Sequence, residues 1–264
     1  MILQETTHLN YNPKRIISVV PSQTELLSDM GLEAETVGIT KFCVHPNSWF
    51  KTKTKVGGTK TLNFKTIDGL QPDLIIANKE ENVKEQIEQL ALKYPIWLTD
   101  VNNFEEALLM IGDIGVLSGK EKEALSIINQ IKKAFAALPK IEKPVKTAYL
   151  IWQEPYMTIG GDTFIHDMLK HCGFENVFAD KTRYPEISIE DLKIADPQDP
   201  AGCQLLFLSS EPYPFKQKHL DELKTHLPQT KILLVNGEFF SWYGSRLLKA
   251  PEYFNKLINS VINK

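Results

Sequence analysis

Short apolar runs alternate with segments of helical periodicity in the N-terminal part of the chain. Continuous apolar runs are typical of strands that are buried on both faces of a parallel sheet. Such a run occurs at residues 73–77, and further short strands are predicted at residues 15–21, 36–39 and 96–98. Helical segments fall between them, at residues 23–30, 64–70 and 83–92. This alternation of strand and helix predicts an α/β lobe.

The first predicted helix carries start and stop signals. Ser22 is followed three residues later by Glu25, which predicts a capping box that opens the helix 23–30. Gly31 is expected to end this helix, because glycine readily adopts the left-handed conformation that follows a helix.

Apolar residues recur at helical spacing from Phe104 to Leu138, with a break at Ser118 and Gly119. The second segment, residues 120–138, would measure about 30 Å as a helix. From Lys146 the order of strand and helix begins again, at residues 147–152, 163–172, 205–208, 216–226, 231–235 and 252–263. The sequence therefore predicts an α/β fold with two Rossmann-like lobes joined by one long helix. The expected boundaries are 1–103 for the N-terminal lobe, 104–143 for the linking helices and linker, and 144–264 for the C-terminal lobe.

Charge and cysteine content narrow the range of functions. The net charge of −3 provides no positive field to hold a phosphate backbone, so we expect no nucleic acid partner. Cys43, Cys172 and Cys203 lack CxxC spacing, which excludes a zinc ribbon, although a disulfide between Cys172 and Cys203 stays open. No signal peptide or membrane span is visible, so either the chain is cytoplasmic or an export signal was removed.

Several segments resemble, in matching order, the class III periplasmic binding proteins, also called helical-backbone metal receptors. The segments are RIISVVPSQTELL, KVGG, NFKTIDGLQPDLIIA, ANKEENVKEQIEQL, IWQEPYMTIGGDTFIHDMLKHCGFENVF, LSSEPYPFKQKH and GEFFSWYGSR. The resemblance implies the class III substrate-binding fold and a non-enzymatic receptor of an ABC importer. It also implies a periplasmic or cell-surface monomer that holds cobalamin, haem or a ferric siderophore between its lobes, and no catalytic cofactor.

The same resemblance implies that one surface glutamate on each lobe meets an arginine of a membrane permease. Glu211 matches this position in the C-terminal lobe. In the N-terminal lobe Lys84 stands where an acidic residue is expected, with Glu85 beside it and Glu81 upstream. We therefore expect Glu211 to dock on the permease together with Glu81 or Glu85.

Candidate ligand contacts fall into two groups. Ser22 and Gln23 begin the first helix, where free N–H groups and the helix dipole suit a polar ligand edge; the alternative is simple capping. Aromatic residues offer flat faces to a planar macrocycle. The aromatic candidates are Phe42, Trp49, Trp97, Trp152, Tyr156, Trp242 and Tyr243. Core packing is their alternative role, favoured for Trp97 inside a strand, whereas Trp49 is expected to be exposed in a loop.

Arg246 is a candidate for binding a ligand carboxylate or phosphate, with an ordinary ion pair, for example to Glu238, as the alternative. His45 and His166 lack the spacing of a metal site, so no bound metal is expected beyond the ligand's own, to which His45 could offer an imidazole. Two other functions stay open: a cytoplasmic corrinoid or haem carrier, and a chelate-processing enzyme. The enzyme reading is the weaker of the two, because no known catalytic motif is present.

Overall fold

The computed structural model describes residues 1–194 and 203–262, which divide into two compact units by their internal contacts. Unit 1 comprises Met1–Val101, Glu105–Lys133 and Tyr243–Leu248. Unit 2 comprises the described parts of Asn102–Phe104, Ala134–Trp242 and Lys249–Lys264. Most of the predicted linking region thus groups with the N-terminal residues, and so does one short segment from near the C-terminus. The predicted boundaries of the lobes stay a prediction.

Unit 1 contains a six-stranded parallel sheet and a small two-stranded ribbon. Its strands are β1 (Ile2–Leu3), β2 (Ile16–Ser18), β3 (Thr36–Ile39), β4 (Thr54–Lys55), β5 (Gly57–Gly58), β6 (Thr61–Leu62), β7 (Leu74–Asn78) and β8 (Ile96–Thr99). The order across the large sheet is β1-β8-β7-β2-β3-β4, and β5 pairs with β6. Strands β2 and β7 are buried at every position, as their continuous apolar runs predict.

Six helices belong wholly or mainly to unit 1. They are α1 (Pro21–Asp29), α2 (Asn47–Thr52), α3 (Phe64–Leu70), α4 (Lys84–Ala91), α5 (Phe104–Ser118) and α6 (Glu121–Ala136). The predicted break at Ser118 and Gly119 separates α5 from α6, and Gly119 has a positive φ of 69°. Helix α6 is about 24 Å long at ~1.5 Å per residue, shorter than predicted. It begins in unit 1, and its residues from Ala134 onward belong to unit 2.

Two local predictions in unit 1 are wrong. Pro21 occupies the first position of α1, where its fixed φ suits the helix, so the helix begins earlier and Ser22 lies inside it and not at its cap. Val20 precedes the helix and makes no side-chain cap. Trp49 lies in α2 and is only 2% exposed, not in an exposed loop. The helix around Trp49 is only six residues long, too short for its periodicity to be visible in the sequence.

Unit 2 contains a four-stranded parallel sheet in the order β11-β9-β13-β14. The strands of this sheet are β9 (Val145–Leu150), β11 (Phe174–Asn176), β13 (Leu205–Ser209) and β14 (Lys231–Val235). Two further strands of unit 2, β10 (Tyr156–Met157) and β12 (Glu186–Ile187), pair antiparallel with each other. The helices of unit 2 are α7 (Phe164–His171), α8 (Ile189–Ile194), α9 (Gln217–His226), α10 (Glu238–Ser241) and α11 (Ala250–Ile262).

The core of unit 2 is rich in aromatic side chains. Tyr149, Phe207, Phe240 and Phe254 are fully buried, and the rings of Phe240 and Phe254 lie 4.9 Å apart. Cys172 and Cys203 are both buried free thiols, so the disulfide left open by the sequence is not formed. No described helix is both long and apolar enough to cross a lipid bilayer.

Candidate functional site

The carboxyl edge of the sheet in unit 1 contains a point where the strand order reverses. From β2 the chain continues to β3 on one side, whereas β7 and β8 are added on the other side. Ligands of open α/β sheets bind beyond the carboxyl ends of the strands at such a point. Ser22 and Gln23 follow β2 directly, so the sheet topology brings them to this edge.

A network of buried side-chain hydrogen bonds covers this edge. Gln23 Nε2 donates to Thr99 Oγ1 at 2.6 Å, and Asn78 Nδ2 donates to the Thr99 carbonyl at 3.1 Å. Asn82 Nδ2 donates to the carbonyls of Val19 and Thr59, both at 3.1 Å. Buried polar groups are costly unless they are paired, so these bonds fix the ends of neighbouring strands in one arrangement.

Tyr243 and Arg246 join this edge although they lie far away along the chain. Arg246 Nε donates to Glu25 Oε2 at 2.8 Å, and the two side chains are only 8% and 7% exposed. The ion pair considered for Arg246 is therefore present, and its partner at this distance is Glu25. Burial raises the pKa of Tyr243 well above its usual range. The carboxylates of Glu81 and Glu80 add to this rise, and the polar side chains of Gln23 and Ser22 oppose it.

The predicted residues Ser22, Gln23, Tyr243 and Arg246 are thus brought together in unit 1. All four are buried, and Arg246 is paired with Glu25. Glu25 is the member that sequence reasoning missed, because it was assigned to a capping box. Whether these residues contact a ligand stays a prediction.

The aromatic candidates of unit 1 differ in accessibility. Phe42 follows β3 and is 51% exposed, with Lys41 Nζ 5.2 Å from its ring centroid. Gly58 leaves room for this ring, since a Cβ there would lie 3.1 Å from Phe42 Cε2. Trp49 is buried, and Trp97 on β8 is half-buried, with an Nε1 that has no hydrogen-bond partner among the described residues. Phe42 is therefore the aromatic candidate of unit 1 that presents the largest open face.

The acidic candidates of unit 1 surround the start of α4. Asn78 Oδ1 accepts hydrogen bonds from the backbone N–H groups of Glu80 and Glu81, at 2.9 and 3.2 Å, and so shapes the turn that precedes the helix. Glu81 is half-buried, whereas Glu85 is exposed in the first turn of α4. Of the two predicted docking residues in this unit, Glu85 is the more accessible.

The carboxyl edge of the sheet in unit 2 presents aromatic side chains. Trp152 follows β9, is 40% exposed, and packs edge-on against Tyr213 with 5.6 Å between ring centroids. Tyr156 is half-buried on β10. Burial raises the pKa of its hydroxyl, and the negative charge of Glu222 adds to this rise. Trp242 is buried. Trp152 is therefore the candidate of unit 2 that offers an open aromatic face.

Glu211 lies at the same edge, directly after β13, in a constrained turn. Its Oε1 accepts a hydrogen bond from Ser241 Oγ at 2.5 Å, and its carbonyl accepts one from Ser209 Oγ at 2.6 Å. Gly237 is required here, because a Cβ at this position would lie 2.3 Å from Ser209 Oγ and 2.7 Å from Glu211 Cγ. The carboxylate is half-buried and held in one orientation.

The described residues contain no group of three or more histidine, cysteine, aspartate or glutamate side chains that could hold a metal ion. His45 is half-buried in the loop that leads to α2. Whether it offers an imidazole to a bound chelate stays a prediction.

Known proteins resemble the chain over most of its length. A vitamin B12-binding protein of Yersinia pestis (strain Pestoides F) is 25% identical over 256 residues, which cover 94% of this chain and 87% of that protein. The periplasmic vitamin B12 binding protein BtuF of Vibrio cholerae has a TM-score of 0.74 at 20% identity, over 96% of this chain and 99% of that one. The apo periplasmic heme-binding protein RhuT from Roseiflexus sp. RS-1 has a TM-score of 0.79 at 18% identity, over 95% and 98%.

These relatives are binding proteins, and the likeness to the solved structures confirms the predicted class III fold, with two α/β lobes joined by a long helix. The family model described as periplasmic binding protein matches residues 16–226. The resemblance drawn from the sequence motifs is therefore confirmed, and the chain belongs to the periplasmic binding protein family.

Proposed function

We propose that the chain is the substrate-binding protein of an ABC importer, which captures a cobalamin-like corrinoid or another metal chelate and delivers it to a membrane permease. The observation that carries this proposal is the pair of open aromatic faces, Phe42 in unit 1 and Trp152 in unit 2. Each follows a strand of its parallel sheet at the carboxyl edge, where α/β folds bind ligands. A planar macrocycle gains apolar contact from such faces.

The ligand class is tested by titration of the purified protein with cobalamin, cobinamide, haem and a ferric siderophore. Tryptophan fluorescence reports binding, because Trp152 is partly exposed and its emission would be quenched by a bound chelate. We expect saturable quenching by at least one of the four compounds. If all four leave the fluorescence unchanged and also fail in calorimetry, the proposed ligand class is wrong.

The aromatic contacts are tested by Phe42→Ala and Trp152→Ala. We expect each change to weaken chelate binding by about tenfold, since a well-placed aromatic contact contributes ~1–2 kcal/mol. Tyr11→Ala is the matched control. Tyr11 is also an exposed aromatic residue of unit 1, but its hydroxyl donates to the carbonyl of Asp73, which precedes β7 at the amino edge of the sheet. Equal affinity in all three variants would contradict the role of the carboxyl edges.

Delivery to a permease rests on Glu211, Glu81 and Glu85. Acidic side chains at an interface mainly steer association and fix orientation toward a basic partner. Glu211 is suited to this role because Ser241 holds its carboxylate in one orientation. Glu85 is suited because it is exposed at the start of α4.

Docking is tested with the cognate permease reconstituted in lipid nanodiscs. We expect Glu211→Ala and Glu85→Ala to weaken permease binding by about tenfold while chelate affinity stays unchanged. The control is Glu252→Ala, which removes an exposed acid of α11 that is paired with Lys256. Permease binding that is unaffected by Glu211→Ala would remove this role. Function with a permease also requires that the protein acts in the periplasm or at the cell surface, and cell fractionation would detect it there.

A further inference from the structure

Four ring side chains in contact with one another run from the interior of unit 2 to the carboxyl edge of its sheet. Phe215 and His219 are buried, and the centroids of their rings lie 5.6 Å apart. The ring of Tyr213 packs against both, at 4.9 Å from Phe215 and 5.4 Å from His219. On its other side Tyr213 packs against Trp152, at 5.6 Å. The exposed ring of Trp152 is therefore connected to the core of unit 2 through Tyr213.

Two hydrogen bonds determine which nitrogen of the His219 ring carries the proton. Nδ1 accepts a hydrogen bond at 2.8 Å from the backbone N–H of Lys216, the residue that precedes α9. A ring nitrogen that accepts a hydrogen bond carries no proton, so the neutral ring has its proton on Nε2. Nε2 lies 3.3 Å from the hydroxyl oxygen of Tyr213 and is therefore the donor in this second bond.

Tyr213 extends these hydrogen bonds to the residues on either side of Trp152. Its hydroxyl donates to Gln153 Oε1 at 3.1 Å, and its backbone N–H donates to the Ile151 carbonyl at 3.2 Å. The side-chain bonds all run in one direction, from His219 to Tyr213 and from Tyr213 to Gln153. Such a chain of bonds is mutually strengthening, and it requires the neutral form of His219.

Protonation of His219 is incompatible with this arrangement. The charged ring has two donors and no acceptor, so the backbone N–H of Lys216 loses its partner. Leaving a buried donor unpaired costs free energy, and a shift of the ring would avoid that cost. Tyr213 and Tyr156 pack in the same cluster, but tyrosine hydroxyls are neutral in acid and supply no negative charge to the ring.

The charged groups near His219 act mainly against its protonation. Burial is the largest cause that lowers the pKa of His219, and the ammonium groups of Lys218 and Lys216 lower it further. The carboxylate of Glu222 acts in the opposite sense. His219 is therefore neutral at pH 7, and its titration lies below the usual value near 6.5.

We propose that His219 is a positioning residue that holds the ring of Trp152 through Tyr213, and that its protonation releases this ring and weakens chelate capture in acid. The effect on capture rests on the proposed function, in which Trp152 is one of the two open aromatic faces. The coupling between His219 and Trp152 is independent of it. A side chain that is held in place before binding loses less entropy on contact with a ligand, so the held ring binds more tightly.

Acrylamide quenching of tryptophan fluorescence in the unliganded full chain tests the coupling. The signal of Trp152 is the difference between the native protein and Trp152→Phe. We expect its quenching to rise about twofold from pH 7.5 to pH 4.5, because the released ring is more accessible. His219→Gln should remove this rise. A glutamine at the same helix position accepts the backbone N–H of Lys216 in the way His219 does, but it cannot be protonated.

Titration with cobalamin at the same two pH values tests the effect on capture. The affinity of the native protein should fall about fivefold at pH 4.5. His219→Gln should keep the native affinity at pH 7.5 and lose the pH dependence. Tyr213→Phe keeps the ring but removes the hydroxyl, so it should bind about fivefold more weakly at both pH values. His226→Gln, an exposed histidine of the same helix, is the matched control and should behave as the native protein does.

Equal pH dependence of Trp152 quenching in the native protein and in His219→Gln would overturn the proposal. A native affinity that is the same at both pH values would overturn its effect on capture. Circular dichroism checks the fold of each variant at both pH values, and if one of His219→Gln and Tyr213→Phe does not fold, the other decides. Failure of cobalamin to bind at pH 7.5 would count against the proposed ligand, whereas the quenching experiment needs no ligand and still decides whether His219 controls Trp152.

Discussion

The carboxyl edges of the two parallel sheets hold different kinds of side chain. In unit 1 the edge combines the exposed ring of Phe42 with a set of buried polar groups, including the Glu25–Arg246 ion pair and the Gln23–Thr99 hydrogen bond. In unit 2 the residues that follow the strands include the exposed ring of Trp152 and the oriented carboxylate of Glu211. Buried hydrogen bonds and ion pairs are directional, so they specify one arrangement of the strand ends. An exposed aromatic ring makes non-directional apolar contacts and can therefore accept ligands of different shape.

The difference also concerns stability. Unit 2 relies on aromatic packing beneath its edge, where the ring of Phe240 lies 5.3 Å from that of Tyr149 and 6.0 Å from that of Phe207. Unit 1 relies at its edge on buried polar groups that must keep their partners. Loss of a partner there leaves an unpaired charge or amide, so we expect single substitutions in the two units to act through different mechanisms.

The largest effect is expected for Phe240→Ala in unit 2. The side chain is fully buried among four aromatic rings, so its removal leaves a cavity and should lower the free energy of unfolding by about 4 kcal/mol. Urea denaturation followed by circular dichroism measures this value. Trp152→Ala is the control from the same unit, and it should cost less than about 1.5 kcal/mol because the ring is 40% exposed. Equal losses in the two variants would contradict the distinction between core and edge.

Arg246→Ala should lower the free energy of unfolding by about 3 kcal/mol, because it leaves the Glu25 carboxylate buried without its partner. The double change Glu25→Ala with Arg246→Ala should recover part of this loss, since no uncompensated charge stays behind. Thermal and urea denaturation compare the variants.

Lys256→Ala supplies the matched control for the ion pair. Lys256 pairs with Glu252 in an exposed position, so this change should cost about 0.5 kcal/mol or less. If Arg246→Ala costs no more than Lys256→Ala, the buried pair does not hold the edge of unit 1.

Asn82→Ala should lower the free energy of unfolding by about 2 kcal/mol. The change removes the donor to the carbonyls of Val19 and Thr59 and the acceptor for the Asn78 backbone N–H. Asn259→Ala, which removes an exposed amide that donates to Asn255 within α11, is the control and should have no measurable effect. A neutral Asn82→Ala would show that water or a shifted loop satisfies the edge equally well.

The smallest expected effect is the pH dependence contributed by Cys203 in unit 2. Burial raises the pKa of this thiol from near 9 to about 11. Between these two values the unfolded chain has lost the proton that the folded chain keeps, so stability falls as pH rises, by about 1.4 kcal/mol per pH unit. Urea denaturation at pH 8, 9 and 10 should show a shallower decline for Cys203→Ala than for the native protein. Parallel declines would mean that Cys203 does not titrate in this window.

Elements with strong local signals could be predicted from the sequence. The bounds of β3, α3 and β14 agree with the predicted residues, because each is a short apolar or periodic run flanked by residues that end it. The two-residue strand β1 was missed, since its pairing with β8 depends on a segment more than ninety residues away. The six-residue helix α2 was missed because it is too short for a periodic pattern.

The candidate site was predicted in part. Residues that follow strands, such as Ser22, Gln23 and Phe42, could be found because the ends of parallel strands meet at one edge. Their accessibility could not, as the buried Gln23 and the exposed Phe42 show. The ion-pair partner of Arg246 could not be predicted from local sequence patterns, because Glu25 lies 221 residues earlier in the chain.

By itself the sequence determined the family, the alternation of strand and helix in both halves of the chain, and the residue types at the strand ends, because these depend on local pattern and motif. Only the tertiary structure decided which of those residues are buried, which pair with each other, and that residues 243–248 belong to unit 1. Pairing and burial depend on contacts between segments distant in sequence, and a local pattern carries no information about such contacts.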